Sequence, residues 1–427
     1  MKRTKQATLH IGKPRVEKFG DKMRVVASVT HEAIPGINGT GGDMWFAVSE
    51  PHGQYLCYER SDAFVVGMLF YCMRLGLDIE CEAPVSEEIL FNLRTYFVPS
   101  ISRNCAEMYA CNILAEPAMD PLANAGAVGT GISCGVDSLH ALYQQTNSPC
   151  KGMNVTHLVL NNAGAYKEGS SQYSWQLNHG REFAREYGYE FVETDSNYHE
   201  LFPLNHKWLH WTNTYANAFC ALCLQKLWGK FTIASAGDSF AIFTLSKILE
   251  YDSATYDLLF LNVISTRWMR FYSGGGAETR YYKTLAIAEY EPAKKYLHVC
   301  TDDSGPNCNV CAKCIRTMVM LDAIGKLDEF DKVFDVNYYR ANRKFYLKAV
   351  YWAYFTQGTG ALLDETYNAL KKDYSLGMKA AVWYAAFRKR LSSMKLLASI
   401  YHSITPRMKS GDSARKENFG ALPLRDK

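Results

Sequence analysis

Residues 131–138 read Gly-Ile-Ser-Cys-Gly-Val-Asp-Ser, an S-x-G-x-D-S loop set between an apolar, glycine-containing run and a helical pattern. Upstream, Ala125-Gly126-Ala127-Val128-Gly129 predicts a buried strand; downstream, Leu139, Leu142 and Tyr143 recur on one helical face. The loop therefore opens a helix. Backbone N–H groups at a helix start lack intrahelical partners and carry partial positive charge, so they attract anions. Gly135 allows close approach of the backbone, Ser133 and Ser138 add hydroxyls, and Cys134 and Val136 fill the loop between them. Asp137 would repel a phosphate unless Mg²⁺ lay between them. ATP is the expected ligand. The loop is not the G-x-x-x-x-G-K-[ST] type, because no Lys-Ser or Lys-Thr closes it. The competing reading is an ordinary strand-to-helix turn with a serine-rich cap.

The following segment alternates strands and helices, which predicts an α/β fold with an open parallel sheet wrapped by helices on both faces. His157–Asn161, Glu190–Asp195 and Phe231–Gly237 read as strands, with helices over Asn178–Tyr187 and from Thr214 to about Leu227 between them. Ligands in such sheets bind at the carboxyl ends of the strands, so Asn161, Asp195 and Gly237 are expected beside the nucleotide.

Residues 1–121 read as a separate α+β domain. Met23–Val29 and Met44–Val48 are strand-like around a Gly36–Gly42 loop; Ala63–Leu75 reads as a buried helix and Ser86–Leu93 as a capped one. Residues 122–325 form the expected nucleotide domain. Residues 326–427 read as a helical C-terminal region whose aromatics, from Tyr338 to Tyr354, suit a packed core stripe better than a base-stacking surface, and the composition turns polar from about Ser403.

A chain of 427 residues that is 48% hydrophobic can build two or three domains. No apolar stretch is long enough to cross a bilayer and no apolar leader follows the start, so a cytoplasmic protein is expected. The net charge of +4 is uneven: residues 1–24 hold eight Lys/Arg against two Asp/Glu, whereas between residues 43 and 100 three arginines face nine acids. That acidic middle argues against clamping nucleic acid. Thirteen cysteines, an odd number mostly scattered among apolar residues, argue against a disulfide framework.

Four of them are grouped. Cys300, Cys308, Cys311 and Cys314 give C-x₇-C-x₂-C-x₂-C, with Cys314 expected on the first turn of a helix and Tyr296–Cys300 as a short strand-like run. Four thiolates so spaced suit tetrahedral Zn²⁺, and an iron–sulfur cluster would use the same ligands. Cys220 and Cys223 lie in an apolar helix pattern and read as core thiols.

The loop and the later cysteine quartet, in that order across a parallel-sheet segment, resemble the N-type ATP pyrophosphatase (PP-loop) superfamily, and within it the 7-cyano-7-deazaguanine synthase branch. The resemblance covers roughly residues 122–325. It implies a HUP/PP-loop type sheet and a reaction in which ATP adenylylates a substrate carboxylate or carbonyl oxygen. Pyrophosphate leaves, ammonia or an amine displaces AMP, and the zinc is structural. By position, Ser133, Cys134, Gly135, Val136, Asp137 and Ser138 would hold the pyrophosphate, with Cys134 standing where the family commonly has glycine. Asp137 would bind Mg²⁺, Gly237 would end the fourth strand beside the nucleotide, and Lys283 would counter charge on the departing pyrophosphate.

The residues of the deazaguanine substrate pocket are not recognisable, so the acceptor is unassigned. The chain also looks like sugar amidotransferases of polysaccharide pathways, which use the same adenylate logic. Residue 2 is Lys rather than a nucleophilic amino-terminal Cys, so free ammonia, an amine or a partner subunit would supply nitrogen. A homodimer is compatible with this reading. A tRNA thiolase and a non-catalytic nucleotide-binding scaffold are the competing functions.

Overall fold

The computed structural model describes residues 7–34, 39–163, 170–201, 206–236, 242–250, 252–300, 305–356 and 360–393. The chain divides into two compact units, Met1–Glu278 and Thr279–Lys427.

The first unit is built on an eleven-stranded mixed sheet with helices on both sides. Its strands are β1 (Thr8–Ile11), β2 (Arg15–Phe19), β3 (Lys22–His31), β4 (Gly41–Ser49), β5 (Asp78–Cys81), β7 (Ile113–Leu114), β9 (Ala127–Gly131), β10 (His157–Asn162), β11 (Glu190–Ser196), β12 (Trp228–Ala234) and β13 (Arg270–Gly274); β6 (Val85–Ser86) and β8 (Pro117–Ala118) pair separately. The helices are α1 (Asp62–Leu75), α2 (Glu87–Asn92), α3 (Val98–Asn104), α4 (Val136–Thr146), α5 (Ser171–Tyr187), α6 (His206–Cys223) and α7 (Asp257–Val263).

Strand order is β13-β12-β9-β10-β11-β4-β3-β1-β5-β7, with β2 on β3. The five strands from β13 to β11 are mutually parallel, and β9, the first in the chain, lies at their centre. The chain winds outward on one side through β10 and β11, then returns to the other side of β9 as β12 and β13. That reversal opens a crevice at the carboxyl ends of the central strands.

The boundary expected at residue 121 is crossed by the sheet. β4 pairs antiparallel with β11, Ala47 opposite Asp195 and Phe46 opposite Ser196. A bare β11 would present a row of unsatisfied backbone groups, and β4 supplies their partners. The amino-terminal segment also packs through its helix: α1 is buried almost throughout and rests on α6, with the Phe64 and Phe219 rings 5.6 Å apart.

Two glycines explain how closely the layers approach. A Cβ on Gly129 of β9 would lie 2.8 Å from the Trp228 ring, and one on Gly274 of β13 would lie 2.7 Å from Ala141 Cβ on α4. Side chains there would push the sheet neighbour or the helix away.

Other expectations shift locally. α6 begins at His206 rather than Thr214. Ser86 precedes α2 without capping it, because its hydroxyl donates to the buried Asp62 carboxylate while its N–H donates to the same group at 2.7 Å.

The second unit is helical where described: α8 (Arg280–Ala288), α9 (Glu291–Tyr296), α10 (Ala312–Ala323), α11 (Val336–Thr356), α12 (Gly360–Ala369) and α13 (Leu376–Ser393). Tyr296 closes α9 instead of entering the expected strand-like run, since Pro292 suits the first turn of a helix. The aromatics of α11 divide by face. Tyr339, Tyr346, Tyr351 and Trp352 are buried, while Tyr338 and Phe355 are about half exposed. No helix among the described residues is long and apolar enough to cross a membrane.

Candidate functional site

The loop follows β9 directly. The Ile132 N–H donates to the Val159 carbonyl at 2.9 Å, tying the loop base to β10, and Gln176 Nε2 from α5 donates to the Ser133 carbonyl at 2.9 Å. The chain then reverses at Cys134, whose φ of 55° lies in the left-handed region, and Gly135 starts α4 with φ −76° and ψ 169°. An L-residue with a side chain in that region costs roughly 1–2 kcal/mol. Cys134 is fully buried, and burial pushes its thiol well above the ordinary range. It is an inert filler beneath the loop.

The two serines close on each other above it. Ser133 Oγ lies 3.2 Å from Ser138 Oγ and 3.4 Å from the Gly135 N–H, while Ser138 Oγ donates to the Gly135 carbonyl at 3.1 Å. No side chain caps α4. A helix start carries partial positive charge, which attracts an anion.

Beside the loop lies a pocket of about 230 Å³ at the ends of β9, β10 and β12. Ser133, Ser138, Asn161, Asn213, Asn217 and Thr232 supply its polar lining. The asparagines form a chain. Asn161 Nδ2 donates to Asn217 Oδ1 at 3.1 Å, and Asn217 Nδ2 donates to the Asn213 carbonyl at 2.9 Å. Thr194 Oγ1 lies 3.1 Å from Asn161 Oδ1, fixing the outer end. Asn213 and Asn217 stand one turn apart on α6 and were not singled out from sequence. Their i, i+4 spacing, which puts both amides on one face of α6, was the signal available.

The expected site residues are thus partly assembled. Ser133, Ser138 and Asn161 line one pocket; Cys134 and Val136 are buried beneath it, and Asp137 sits half-buried on the first turn of α4. Asp195 is not among the pocket-lining residues; its carboxylate accepts from Asn162 Nδ2 at 3.2 Å and from the Ser196 N–H at 2.9 Å. Gly237 lies outside the described residues. Sequence reading also missed Asp252, whose carboxyl burial pushes up, opposed by the Ala254 N–H and His210 and reinforced by the charge of Asp137. Lys283 belongs to the second unit, on the first turn of α8, with its side chain 1% exposed.

The cysteine quartet lies wholly in the second unit. The sulfurs of Cys300, Cys308, Cys311 and Cys314 all lie within 4.8 Å of one another, and Cys300 Sγ is 3.9 Å from Cys311 Sγ. A tetrahedral zinc with Zn–S bonds near 2.3 Å has sulfur–sulfur edges of about 3.8 Å. The separation is far too long for a disulfide and suits a shared metal.

Backbone N–H groups point at the sulfurs: Cys308 N to Cys300 Sγ at 3.4 Å, Cys311 N to Cys308 Sγ at 3.3 Å and Cys314 N to Cys311 Sγ at 3.5 Å. The Cys308–Cys311 turn passes through Asn309 at φ 64°, a conformation asparagine tolerates better than most residues. Tyr346 OH donates to the Asn309 carbonyl at 2.7 Å, and Asn307 Nδ2 donates to Leu297 and Val333 carbonyls at 2.9 and 3.1 Å. This outer shell holds the ligand loops in register. The four cysteines form a candidate metal site compatible with zinc.

No family model, curated protein or solved structure matches the chain.

Proposed function

We propose that the protein is an ATP-dependent C–N ligase that adenylylates a carboxylate or carbonyl oxygen of a small molecule, releases pyrophosphate and passes the adenylate to ammonia or an amine. The observation that carries this reading is the serine-flanked loop at the start of α4, set where the strand order of the parallel sheet reverses and beside a pocket lined by serine, threonine and asparagine.

A departing pyrophosphate gains most from donors already in place, because they need no reorganisation as charge develops. The start of α4 and the Ser133 hydroxyl are such donors, with Ser138, bonded to the Gly135 carbonyl, holding the loop in shape. The charge of Asp137 adds to the burial that holds the Asp252 carboxyl above its usual range, and Mg²⁺ held by these carboxylates would neutralise the triphosphate. Among the described residues the pocket is lined by serine, threonine and asparagine groups and by no Lys or Arg, so beyond the loop it suits a hydrogen-bonding part of a ligand. Zinc at the four cysteines would have a structural role.

A thiolase would need a reactive cysteine near the nucleotide. No cysteine lines the described pocket, and Cys220 and Cys223 are buried with their thiols pushed well above the ordinary range. The amide-forming reading is therefore preferred.

Incubation of the full chain with ATP labelled at the α and γ positions, Mg²⁺, ammonium and a panel of carboxylic acids tests the proposal. AMP plus pyrophosphate is expected; release of ADP and phosphate would overturn it.

A further inference from the structure

Helix α13 is divided into two faces. Val382 is fully buried, and Trp383 Nε1 donates to Tyr351 OH at 3.0 Å, which ties the helix to the stacked rings of Tyr351, Tyr367 and Tyr374. Along the outer face Leu376, Trp383, Tyr384 and Phe387 are 84%, 48%, 64% and 60% exposed. With Ala380, which is also exposed, they fall on one stripe of a 3.6-residue helix. Phe355, from the end of α11, widens the stripe: its ring lies 6.2 Å from that of Trp383, and the two border a groove of about 550 Å³ also lined by Phe387, Lys389 and Arg390.

The charge of the helix has one sign. α13 carries Lys379, Arg388, Lys389 and Arg390 and no Asp or Glu. At 100° per residue, Lys379 and Arg390 fall on one flank of the apolar stripe and Arg388 on the other.

We propose that this face of α13 lies on an anionic lipid membrane, with Leu376, Trp383 and Phe387 at the level of the headgroups and the flanking cations paired with lipid phosphates. An apolar stripe containing Trp and Phe, bordered by Lys and Arg, is the pattern of a helix that rests in the membrane interface. The Trp383 indole is already oriented, with its polar edge bonded inward to Tyr351, so little ordering accompanies insertion. A second copy of the same face would bring its three flanking cations against another three, which disfavours self-association. A single-stranded nucleic acid would use the rings and the cations but leave Leu376 and Ala380 without a role. This inference is independent of the nucleotide chemistry.

Flotation of the full chain with vesicles of phosphatidylcholine alone, or with roughly a third phosphatidylglycerol, tests it. The protein should float with the anionic vesicles only, and raising salt from about 0.05 to 0.5 M should release it because surface charges are then screened. Phe387→Asp, at an exposed position, and the pair Arg388→Glu with Arg390→Glu should each lower the bound fraction about tenfold or more. Unchanged far-UV circular dichroism and metal content show that these variants fold. Failure of the wild type to float at low salt overturns the proposal, as does flotation of the variants at the wild-type level. Loss, in the same variants, of oligonucleotide binding or of a concentration-dependent dimer in place of vesicle binding also overturns it.

Discussion

Ser133 Oγ and Ser138 Oγ meet 3.2 Å apart across the loop that opens α4, each also bonded to a backbone atom of Gly135. The pair holds the mouth of the helix in shape, and the N-cap residue Gly135 adds no side-chain cap.

Asp137→Ala should abolish formation of AMP and pyrophosphate, and Ser133→Ala should lower turnover by about a hundredfold, the typical cost of one preorganised donor. Single-turnover assays with labelled ATP check both. Retention of wild-type turnover by Asp137→Ala would remove the loop from catalysis.

Cys134 is held at φ 55° with its side chain fully buried. Cys134→Gly should change stability by less than about 1 kcal/mol, because relief of backbone strain offsets the loss of a small apolar group. Cys134→Val should cost more than about 2 kcal/mol, since a β-branched residue fits the left-handed region worst and overfills the space. Urea denaturation of the two variants distinguishes these outcomes.

Asn217 bonds to both Asn161 and Asn213. Asn217→Leu breaks the chain at its middle and should raise KM for ATP or the acceptor about tenfold, with little change in melting temperature because Asn217 is only partly buried. Titration calorimetry with ATP and magnesium shows which ligand the chain contacts.

Purified protein should hold about one zinc per chain and lack the visible absorption of an iron–sulfur cluster. Cys311→Ser should reduce metal content by at least about tenfold and destabilise the second unit, while Cys220→Ser, in the buried core of α6, should leave the metal in place. Elemental analysis combined with a colorimetric zinc-release assay reads both.

His199 is pushed down from 6.5 to about 4 by burial. Its ring contacts the Ala163 carbonyl through Nδ1 and lies 3.1 Å from Thr212 Oγ1 through Nε2. The unfolded chain binds the proton more readily, so the associated stability is fully present above pH 6.5 and is lost as pH falls toward 4. The loss should be on the order of 3 kcal/mol. The difference in unfolding free energy between wild type and His199→Gln, measured from pH 7 to 4, should change in that direction.

Much of the first unit was legible because buried parallel strands read as apolar runs and the helices between them keep a 3.6-residue period. Met23–Val29, Met44–Val48, His157–Asn161 and Glu190–Asp195 all fall in strands, and the loop does open a helix. The four cysteines were legible for a different reason: metal-ligand spacing is local, and knuckle geometry follows from two intervening residues.

Sequence alone determined these local features: where strands and helices form, where the serine-flanked turn sits and which thiols can share a metal. Only the tertiary structure decided that β4 seals the edge of β11, that Asn213 and Asn217 face Asn161 and that Cys134 is trapped in a left-handed conformation. Each depends on partners far away in the chain. Periodicity records which side of an element is apolar, but the identity of the neighbour that covers it is set by the packing of the whole sheet and its helices.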